Sequence, residues 1–384
     1  MNRRSVFLRS VGLVAGIIVL PLGIWGFSFA APALSGVTAA SAALTLGGRT
    51  GTVSSPDKPV LLGAPVSAGC FGLEAAPEEI QYISSEPAEI PSPKPSDEVI
   101  AALPYPDDLD SADGVIQKLN FGHYDGPQYF DLDGGGQVRS GSAEYTVDEL
   151  IAESRKPIDF STEITPGEPL VLIYHTHTTE SYEPSDRPFY DASFDSRTTD
   201  PEKNVVAVGE RICRELDAAG IPYIHDTLVH DLESYNAAYD SSRATVKELL
   251  AQYPSIMIAL DIHRDGLQRE DGTRLSPVAE IDGREAAQIM IISGCDDGSL
   301  GLPEYIKNFH FACALQQQLE SSYAGLTRPI LFDYRHYNQD LTAGSLLIEV
   351  GSHGNCLDQA LFAGELVGKG LAEVIKQNQT PPAE

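Results

Sequence analysis

The chain of 384 residues is poor in basic residues, because 26 Lys and Arg stand against 55 Asp and Glu and leave a formal net charge of −29. Proteins that bind nucleic acid rely on clusters of Lys and Arg to contact phosphates, so this balance argues against DNA or RNA as a partner. The composition, 42% hydrophobic and 21% charged, is that of a globular protein with a sizeable core. The acidic balance favours solubility and names no function by itself.

Cysteine is also scarce, and no two cysteines form a CxxC pair. An odd number leaves at least one cysteine unpaired, so neither a disulfide framework nor a cysteine zinc site is indicated. We interpret the five residues as small buried side chains. They are Cys70, Cys213, Cys295, Cys313 and Cys356.

Charge is missing from a long stretch near the N-terminus, where no charged residue follows the basic start MNRRSVFLRS until Arg49. Residues 11–30, VGLVAGIIVLPLGIWGFSFA, are long enough to span a bilayer as a helix. The basic flank would keep the N-terminus in the cytoplasm, so the rest of the chain would be exported. We therefore expect a membrane anchor over residues 1–31, and a signal peptide cleaved near FAAPA is the alternative.

Composition divides the exported part into four segments. Residues 32–110 are rich in Ala, Ser, Pro, Gly and acids, and the tract SSEPAEIPSPKPSDE is typical of an extended or disordered stalk. Residues 111–165 carry short aromatic runs, a glycine turn and one helical pattern, which favour a small accessory segment. Residues 166–378 form the main domain, and residues 379–384 are a tail.

Apolar runs alternate with helical periods throughout the main domain. Strands are predicted at residues 170–174, 221–224, 255–263, 286–294 and 345–351. Helices are predicted near residues 205–216, 241–253, 302–323 and 358–375, and Gly220 is expected to end the first of them. This alternation predicts an α/β domain whose single, largely parallel twisted sheet is flanked by helices.

Polar residues follow three of the predicted strands. In open α/β sheets the ligand crevice lies outside the carboxyl ends of the strands, so we expect these residues to meet at one rim. The alternative is that each strand end is polar only because the chain leaves the core there. The residues are His175, His177 and Glu180 after the first strand, Asp261, His263, Arg264 and Asp265 at the end of another, and Glu349 in the last.

Two imidazoles and a carboxylate are suitable ligands for Zn²⁺ in a catalytic site, which keeps a fourth position for water. His177, Glu180 and His263 would form such a set, because one tight loop presents the first two and another strand brings the third. Glu349 would then be a carboxylate free of the metal, able to accept and return a proton. His175 would support a ligand or point back into the packing of the strand.

The other histidines give weaker signals. His225 and His230 are expected in a solvated loop, and His310 is expected to have a structural role within a helix. His353 lies close after Glu349 in the sequence, where it could line the same rim, and whether it touches the site stays open.

Six segments of the main domain, in order, resemble the stage II sporulation protein P family. They include YHTHTTESY, HDTLVHDLESYNAAYDSSRATVKELL, LDIHRDG, AAQIMIISGCDDGSLGLPEY, LTRPILFDYRHYNQDLTAGSLLIEVGSHGN and the closing helix. The resemblance covers residues 169–377, with a weaker similarity over residues 129–165. The predicted anchor and stalk also agree with this family.

The resemblance implies a zinc-dependent N-acetylmuramoyl-L-alanine amidase with an amidase-like fold. Carried over by motif, His177, Glu180 and His263 are the implied Zn²⁺ ligands, and Glu349 is the implied catalytic carboxylate. Arg264 would hold a carboxylate of the stem peptide or support an oxyanion, and a structural ion pair with Asp261 or Asp265 is the alternative. Cys356 departs from the family pattern, where threonine is more usual.

The resemblance further implies a role in engulfment during sporulation. The protein would be anchored in the mother-cell membrane, face the septal peptidoglycan, and have stage II sporulation proteins D and M as partners. Two alternatives stay open. The same site would cleave peptide cross-links as an endopeptidase, or the domain would bind the wall or act as a scaffold without catalysis.

Overall fold

The computed structural model describes residues 80–83, 103–107, 109–232 and 235–379. The predicted anchor, most of the predicted stalk and Cys70 lie outside these residues. Within the described ranges, none of the helices combines the length and the apolar character needed to cross a bilayer. The division into anchor, stalk, accessory segment, main domain and tail stays a prediction.

The described part of the chain has five α-helices, thirteen strands and a short 3-10 helix at Tyr235–Ala237. The helices are α1 Val147–Ser154, α2 Val205–Ala218, α3 Ala238–Gln252, α4 Tyr305–Ser322 and α5 Leu357–Gln377. The first seven strands are β1 Ile80–Ile83, β2 Gly114–Leu119, β3 Tyr129–Asp131, β4 Gln137–Ser140, β5 Val171–Tyr174, β6 Phe189–Tyr190 and β7 Tyr223–Asp226. The others are β8 Ile258–Asp265, β9 Arg274–Ile281, β10 Arg284–Ala287, β11 Ile289–Gly294, β12 Ile330–Asp333 and β13 Gly344–Ser352.

The main sheet has nine strands in the order β1-β7-β5-β8-β13-β11-β12-β4-β3. Its centre, β7-β5-β8-β13, is parallel throughout. Parallel pairing also joins β12 to β11 and to β4. The β1–β7, β11–β13 and β3–β4 pairings are antiparallel. The α/β class is confirmed, and the prediction of a largely parallel sheet is wrong because the sheet is mixed.

A second sheet, in the order β10-β9-β2-β6, also corrects the prediction of a single sheet. The predicted strand at residues 286–294 is two strands, because the chain leaves β10 at Ala287 and enters the main sheet with β11 at Ile289. Between them the buried amide of Gln288 accepts from the backbone N–H of Phe121 and donates to Gly325 O. One continuous apolar run therefore serves both sheets, and apolar character does not indicate where a run divides.

The predicted helices are present with small differences in their ends, and α2 shows why. Asn204 caps its N-terminus by accepting from the N–H of Val206, and Gly220 follows its end with φ +72°. The N–H of Ile221 then donates to Leu216 O at 2.9 Å, so the glycine ends the helix as predicted.

Helix α5 packs closely against α2 through glycines. A Cβ atom placed on Gly368 would lie 2.8 Å from Ile212 O, and one on Gly364 would lie 2.8 Å from Val208 O. The two backbones therefore approach each other where no side chain fits. All four described cysteines are free and buried, as expected.

The accessory segment adds to both sheets, because β3 and β4 extend the main sheet and β2 lies within the second one. The segment just before it also contacts the main domain. The hydroxyl of Tyr105 donates to Tyr182 O at 3.0 Å, and the N–H of Thr199 donates to Leu103 O at 3.0 Å.

Candidate active site

Three neighbouring parallel strands carry the candidate site at their carboxyl ends. Tyr174 of β5 pairs with Asp261 of β8, and His263 of β8 pairs with Glu349 of β13. Because the three strands run in one direction and are adjacent, the residues that follow them lie along the same edge of the sheet. This is the convergence that the strand-end rule predicts for open α/β sheets.

The loop after β5 is tight because its threonines bond to neighbouring segments. Thr176 donates from its backbone N–H and its hydroxyl to the two carboxylate oxygens of Asp261, at 2.8 and 2.6 Å. Thr179 bonds to Asp231 in the same way, at 3.0 and 2.7 Å. The N–H of Glu180 donates to His177 O at 3.0 Å, and this turn presents both side chains at the rim.

The three predicted ligands come together in the structure. Nδ1 of His263 lies 3.5 Å from Oε2 of Glu180, and the rings of His177 and His263 are perpendicular with centroids 5.2 Å apart. All three side chains are buried. The structure thus brings together residues that are separated by more than 80 positions, while their role as ligands stays a prediction.

A carboxylate lies behind each predicted histidine ligand. Oδ1 of Asp261 is 2.9 Å from Nε2 of His263, and Oδ2 of Asp231 is 3.9 Å from Nδ1 of His177. Within the described ranges, neither ring nitrogen has a partner of good hydrogen-bond geometry. Carboxylates in such positions orient the imidazoles of metal sites and select their tautomers. Neither aspartate was predicted from the sequence to have this role.

The charges of the three groups depend on one another. Burial, followed by the neighbouring His263, lowers the pKa of His177 to about 4, so this imidazole is neutral at pH 7. Burial alone would raise the pKa of Glu180, but Arg264 and His263 outweigh it and lower the value to about 2. Burial would lower the pKa of His263, and Asp261 with Glu180 instead raises it well above its usual value.

Glu349 differs from Glu180 in its electrostatic environment. Burial, followed by the charge of Asp265, raises the pKa of Glu349 to about 8. Its Oε2 atom is buried and, in the described part of the chain, has no hydrogen-bond partner. A carboxyl group with a pKa near neutral and an unpaired oxygen is suited to exchange a proton with a ligand.

The two imidazoles and the carboxylate of His177, His263 and Glu180 are donor groups that fit Zn²⁺. Ligands about 2.0–2.1 Å from a tetrahedral zinc lie roughly 3.3 Å from each other, close to the 3.5 Å between Glu180 Oε2 and His263 Nδ1. Among the residues that the structure describes, however, no set of three His, Cys, Asp or Glu side chains is arranged to hold a metal ion as it stands. Completing the site would require a side-chain movement.

Arg264 is engaged by backbone carbonyls. Its Nε donates to Ser181 O at 2.7 Å and its Nη2 donates to Ser196 O at 2.9 Å. Its backbone N–H donates to Oε2 of Glu180 at 3.2 Å. These bonds favour a structural role, in which Arg264 holds the loop that carries Glu180, and contact with substrate stays a prediction.

The remaining histidines have varied environments. His175 is fully buried, with Nδ1 3.1 Å from Ile262 O and Nε2 2.9 Å from Nε2 of His225, so it points into the packing of the strand. The expectation of a solvated loop for His225 and His230 is wrong, because both are buried and His230 contacts Asp226 at 3.0 Å. His310 has the expected structural contact, 2.8 Å from Glu153.

Three tyrosines surround the predicted ligands, and the sequence reading missed all of them. The ring of Tyr235 lies flat on His177, with centroids 3.9 Å apart and planes 2° from parallel. Tyr239 is perpendicular to His177 and nearly parallel to His263, and Tyr337 stacks on Tyr239. They lie within the family segments quoted above, at YNAAY and RHYNQD, and this position is the sequence signal that could have found them.

Comparison with known families gives one match that covers most of the described chain. The family model of Stage II sporulation protein P (SpoIIP) matches residues 131–376. A curated relative, the Stage II sporulation protein P of Bacillus subtilis (strain 168), is 30% identical over 216 residues. That alignment covers 53% of this chain and 51% of the relative, so the chain spans about half the length of the protein it matches.

Solved structures of lower similarity also align. N-acetylmuramoyl-L-alanine amidase AmiC2 of Nostoc punctiforme has a TM-score of 0.33 at 12% identity, over 55% of this chain and 97% of its own. Ami1 of Mycobacterium smegmatis, an N-acetylmuramyl-L-alanine amidase, has a TM-score of 0.31 at 13% identity, over 55% and 98%. Similarity at this level assigns no activity to the chain.

Proposed function

Because this chain belongs to the stage II sporulation protein P family, we propose that it is a peptidoglycan hydrolase. The proposed reaction is zinc-dependent hydrolysis of the amide between N-acetylmuramic acid and the L-alanine of the stem peptide, in septal wall during engulfment. The observation that carries this proposal is the meeting of His177, Glu180, His263 and Glu349 at one edge of the sheet.

His177, Glu180 and His263 would hold the metal. When bound, Zn²⁺ supplies Lewis acidity, which polarises a carbonyl and lowers the pKa of water. Ligands must be free of protons, and two of these groups meet that condition at pH 7, since the pKa of His177 is about 4 and that of Glu180 is about 2. Binding would displace the proton that Asp261 and Glu180 favour on His263.

Glu349 is the group that would transfer the proton. Its side chain neighbours His263 across the β8–β13 pair, and its Oε2 has no hydrogen-bond partner among the residues that the structure describes. With a pKa of about 8 in the metal-free protein, it is close to the range in which a carboxyl group both takes and returns a proton near neutral pH. It would accept a proton from the attacking water and deliver it to the departing amine.

Arg264, Asp231 and Asp261 would act through other residues. Arg264 donates to the backbone carbonyls of Ser181 and Ser196 next to Glu180, and the two aspartates lie behind the histidines. These groups hold the ligands in place so that little reorganisation is needed during the reaction. In this proposal the predicted N-terminal helix anchors the protein in the membrane, and stage II sporulation proteins D and M are its partners.

The test uses the full chain purified in detergent, with and without Zn²⁺, on purified peptidoglycan. The matched variant is Glu349→Gln, which keeps the shape of the side chain and removes its proton transfer. Release of stem peptides with a free L-alanine amine, identified by mass, is expected from the zinc-loaded wild type alone. The variant should bind zinc normally and lose roughly 10²- to 10⁴-fold in turnover.

Other products would change the conclusion. Release of fragments cut between stem peptides would indicate the endopeptidase alternative at the same site. No cleavage by zinc-loaded wild type, with or without an added lytic transglycosylase to open the glycan, would reject the hydrolase and favour a wall-binding or scaffold module.

A further inference from the structure

A buried chain of hydrogen bonds leads from the turn after β12 to the predicted ligand His263. Asn338 donates from Nδ2 to Ser242 Oγ at 3.1 Å, and Ser242 Oγ lies 2.8 Å from Thr176 Oγ1. The hydroxyl of Thr176 donates to Oδ2 of Asp261 at 2.6 Å, and Oδ1 of Asp261 lies 2.9 Å from Nε2 of His263. Each of these side chains is at most 3% exposed, so solvent does not compete for the bonds.

The groups at the two ends of this chain set the direction of its hydrogen bonds. An ionised carboxylate only accepts, so the hydroxyl of Thr176 donates to Asp261 and itself accepts from Ser242. At the other end Nη1 of Arg243 donates to Oδ1 of Asn338 at 3.3 Å. Because a guanidinium group has no acceptor, the amide turns its N–H groups to Ser242. Every member thus donates toward Asp261, and bonds aligned in this way strengthen one another.

The hydroxyl of Ser242 has a second acceptor within reach, which is weaker. Tyr239 O, one turn back in α3, lies 3.3 Å from Ser242 Oγ, whereas Thr176 Oγ1 lies at 2.8 Å. The carbonyl of Tyr239 also accepts already from Nδ2 of Asn338 at 3.2 Å. The shorter contact, to a hydroxyl that still needs a donor, therefore takes the proton of Ser242.

The turn that carries Asn338 has a strained backbone. Tyr337 has φ 42° and Asn338 has φ 56°, so two successive residues other than glycine adopt the left-handed conformation. Asparagine tolerates this region, whereas a bulky aromatic residue is an outlier there. Gln339 holds the turn from inside the protein, because it donates to Ile292 O at 3.0 Å and accepts from the N–H of Gly294 at 2.8 Å. Strain persists only where the surroundings enforce it, and here it directs the amide of Asn338 inward.

Asp261 is held at both of its carboxylate oxygens by one residue. The backbone N–H of Thr176 donates to Oδ1 at 2.8 Å, and its hydroxyl donates to Oδ2 at 2.6 Å. Thr176 thus decides which oxygen faces Nε2 of His263, and Ser242 fixes the hydroxyl of Thr176. A proton held on Nε2 leaves Nδ1, the nitrogen 3.5 Å from Glu180, as the one free to bind a metal ion.

We propose that Asn338 and Ser242 are positioning residues that fix the tautomer of His263. They act through Thr176 and Asp261, and so hold a proton on Nε2 and leave Nδ1 for the zinc ion. The proposal deepens the proposed function and rests on His263 being a zinc ligand. It also gives the strained turn a role in the site, because the turn presents the amide donor with which the chain of bonds begins.

The experiment observes the Nε2 proton of His263 and needs no turnover. The full chain in detergent, with isotope-labelled histidine, is loaded with Zn²⁺ for NMR, and zinc affinity is measured by competition with a chromophoric chelator. Asn338→Asp keeps the shape and tolerates the turn but replaces the amide donor by an acceptor, and Ser242→Ala removes the hydroxyl from a helix that favours alanine. Each should broaden the Nε2 proton signal and weaken zinc binding about 3- to 10-fold, less than the loss of a direct partner of the histidine.

Controls separate the chain of bonds from a buried charge and from a lost fold. Gln316→Glu also turns a buried amide into an acid, at a residue of α4 that donates to Gln137 O of β4, and should leave the signal and the affinity unchanged. Asn338→Asp adds a charge that Ser242→Ala does not, so an effect in Asn338→Asp alone would overturn the proposal. Melting temperatures are recorded, and Ser242→Ala carries the test if Asn338→Asp unfolds.

In zinc-loaded protein the proposal requires both changes in Ser242→Ala, and either change without the other overturns it. Its failure is distinguishable from failure of the proposed hydrolase. Both changes without cleavage of peptidoglycan by wild type would keep the positioning role and remove the enzyme, and cleavage by wild type with neither change in Ser242→Ala would do the opposite. If wild type binds no zinc, the Nε2 signal is compared in the metal-free proteins, where its loss in Ser242→Ala keeps the role and its persistence overturns it.

Discussion

Nε2 of His263 lies 2.9 Å from Oδ1 of Asp261, and both side chains are buried at the end of the same strand. The opposite ring nitrogen, Nδ1, faces Glu180. The aspartate therefore leaves one side of the imidazole available at the predicted metal position. A buried residue of the sheet, Asp261, thus orients a predicted metal ligand at the edge of the sheet.

Asp261→Asn should weaken zinc binding by about 10- to 100-fold, the usual effect of losing a carboxylate behind a histidine ligand. Asparagine keeps an oxygen that can accept from Thr176, so the loop should stay in place. The measurement is competition for zinc with a chromophoric chelator. Asp358→Asn, at an exposed ion pair with Arg284, is the matched control and should have no effect. Unchanged zinc affinity in Asp261→Asn would contradict this role.

Tyr235→Ala should weaken zinc binding several-fold, because the ring that lies on His177 restricts the rotation of the imidazole. Tyr235 is 52% exposed, so its removal should change the melting temperature little. Tyr235→Phe keeps the ring and should bind zinc like wild type. If Tyr235→Phe binds zinc as weakly as Tyr235→Ala, the hydroxyl and not the stacked ring supports zinc binding.

His353 should make stability depend on pH. Burial, followed by Arg264 and Arg274, lowers the pKa of His353 to about 4 in the folded protein, against about 6.5 when unfolded. Below pH 6.5 the unfolded state binds a proton on His353 that the folded state does not bind. The stabilisation of the folded state by the neutral His353 is therefore complete above pH 6.5 and is lost as the pH falls toward 4. Between pH 7.5 and pH 5 the free energy of unfolding should fall by about 2 kcal/mol because of this residue.

The check is urea unfolding of the metal-free wild type and of His353→Gln at pH 7.5, 6 and 5. Glutamine does not titrate, so the free energy of unfolding of the variant should fall less steeply with decreasing pH. If the free energy of unfolding falls equally with pH in the two proteins, His353 has the same pKa in the folded and unfolded states and the prediction is wrong. His123→Gln, at a largely exposed histidine, is the control for adding a glutamine.

Gly368→Ala should lower the free energy of unfolding by about 1–3 kcal/mol, although alanine is the better helix former. The added Cβ would lie 2.8 Å from Ile212 O and 2.9 Å from Ile212 Cα, and backbone atoms cannot move aside alone. Glu373→Ala, at an exposed position of the same helix, should cost less than about 0.5 kcal/mol. Equal stability of Gly368→Ala and wild type would show that α2 and α5 separate at little cost.

Local sequence was sufficient for the helices of the main domain and for most of its strands, whereas β6, β9 and β12 were not predicted. Apolar runs indicated β5, β8 and β13, and Gly220 marked the end of α2, because burial of one face and the freedom of glycine are properties of short segments. The direction of β11 and the existence of the second sheet were not predictable in this way. Buried strands have the same composition whether their neighbours run parallel or antiparallel.

The candidate site shows the same division. His177, Glu180, His263 and Glu349 could be predicted because polar residues at the carboxyl ends of parallel strands face one edge. Asp231 behind His177, and Tyr235 and Tyr239 around it, could not be singled out. Their segment reads as a polar loop followed by a helix, and its approach to β5 depends on long-range packing.

By itself, the sequence determined which chemical groups are available, an α/β alternation of elements, and the family to which the chain belongs. Tertiary structure alone decided the mixed direction of the strands, the carboxylate behind His177, and the turn that holds Tyr337 against Tyr239. The physical reason is the distance along the sequence between the residues that interact. Helix ends and buried strands depend on neighbours a few residues away, whereas the approach of His263 to Glu180 depends on contacts between segments separated by more than 80 residues.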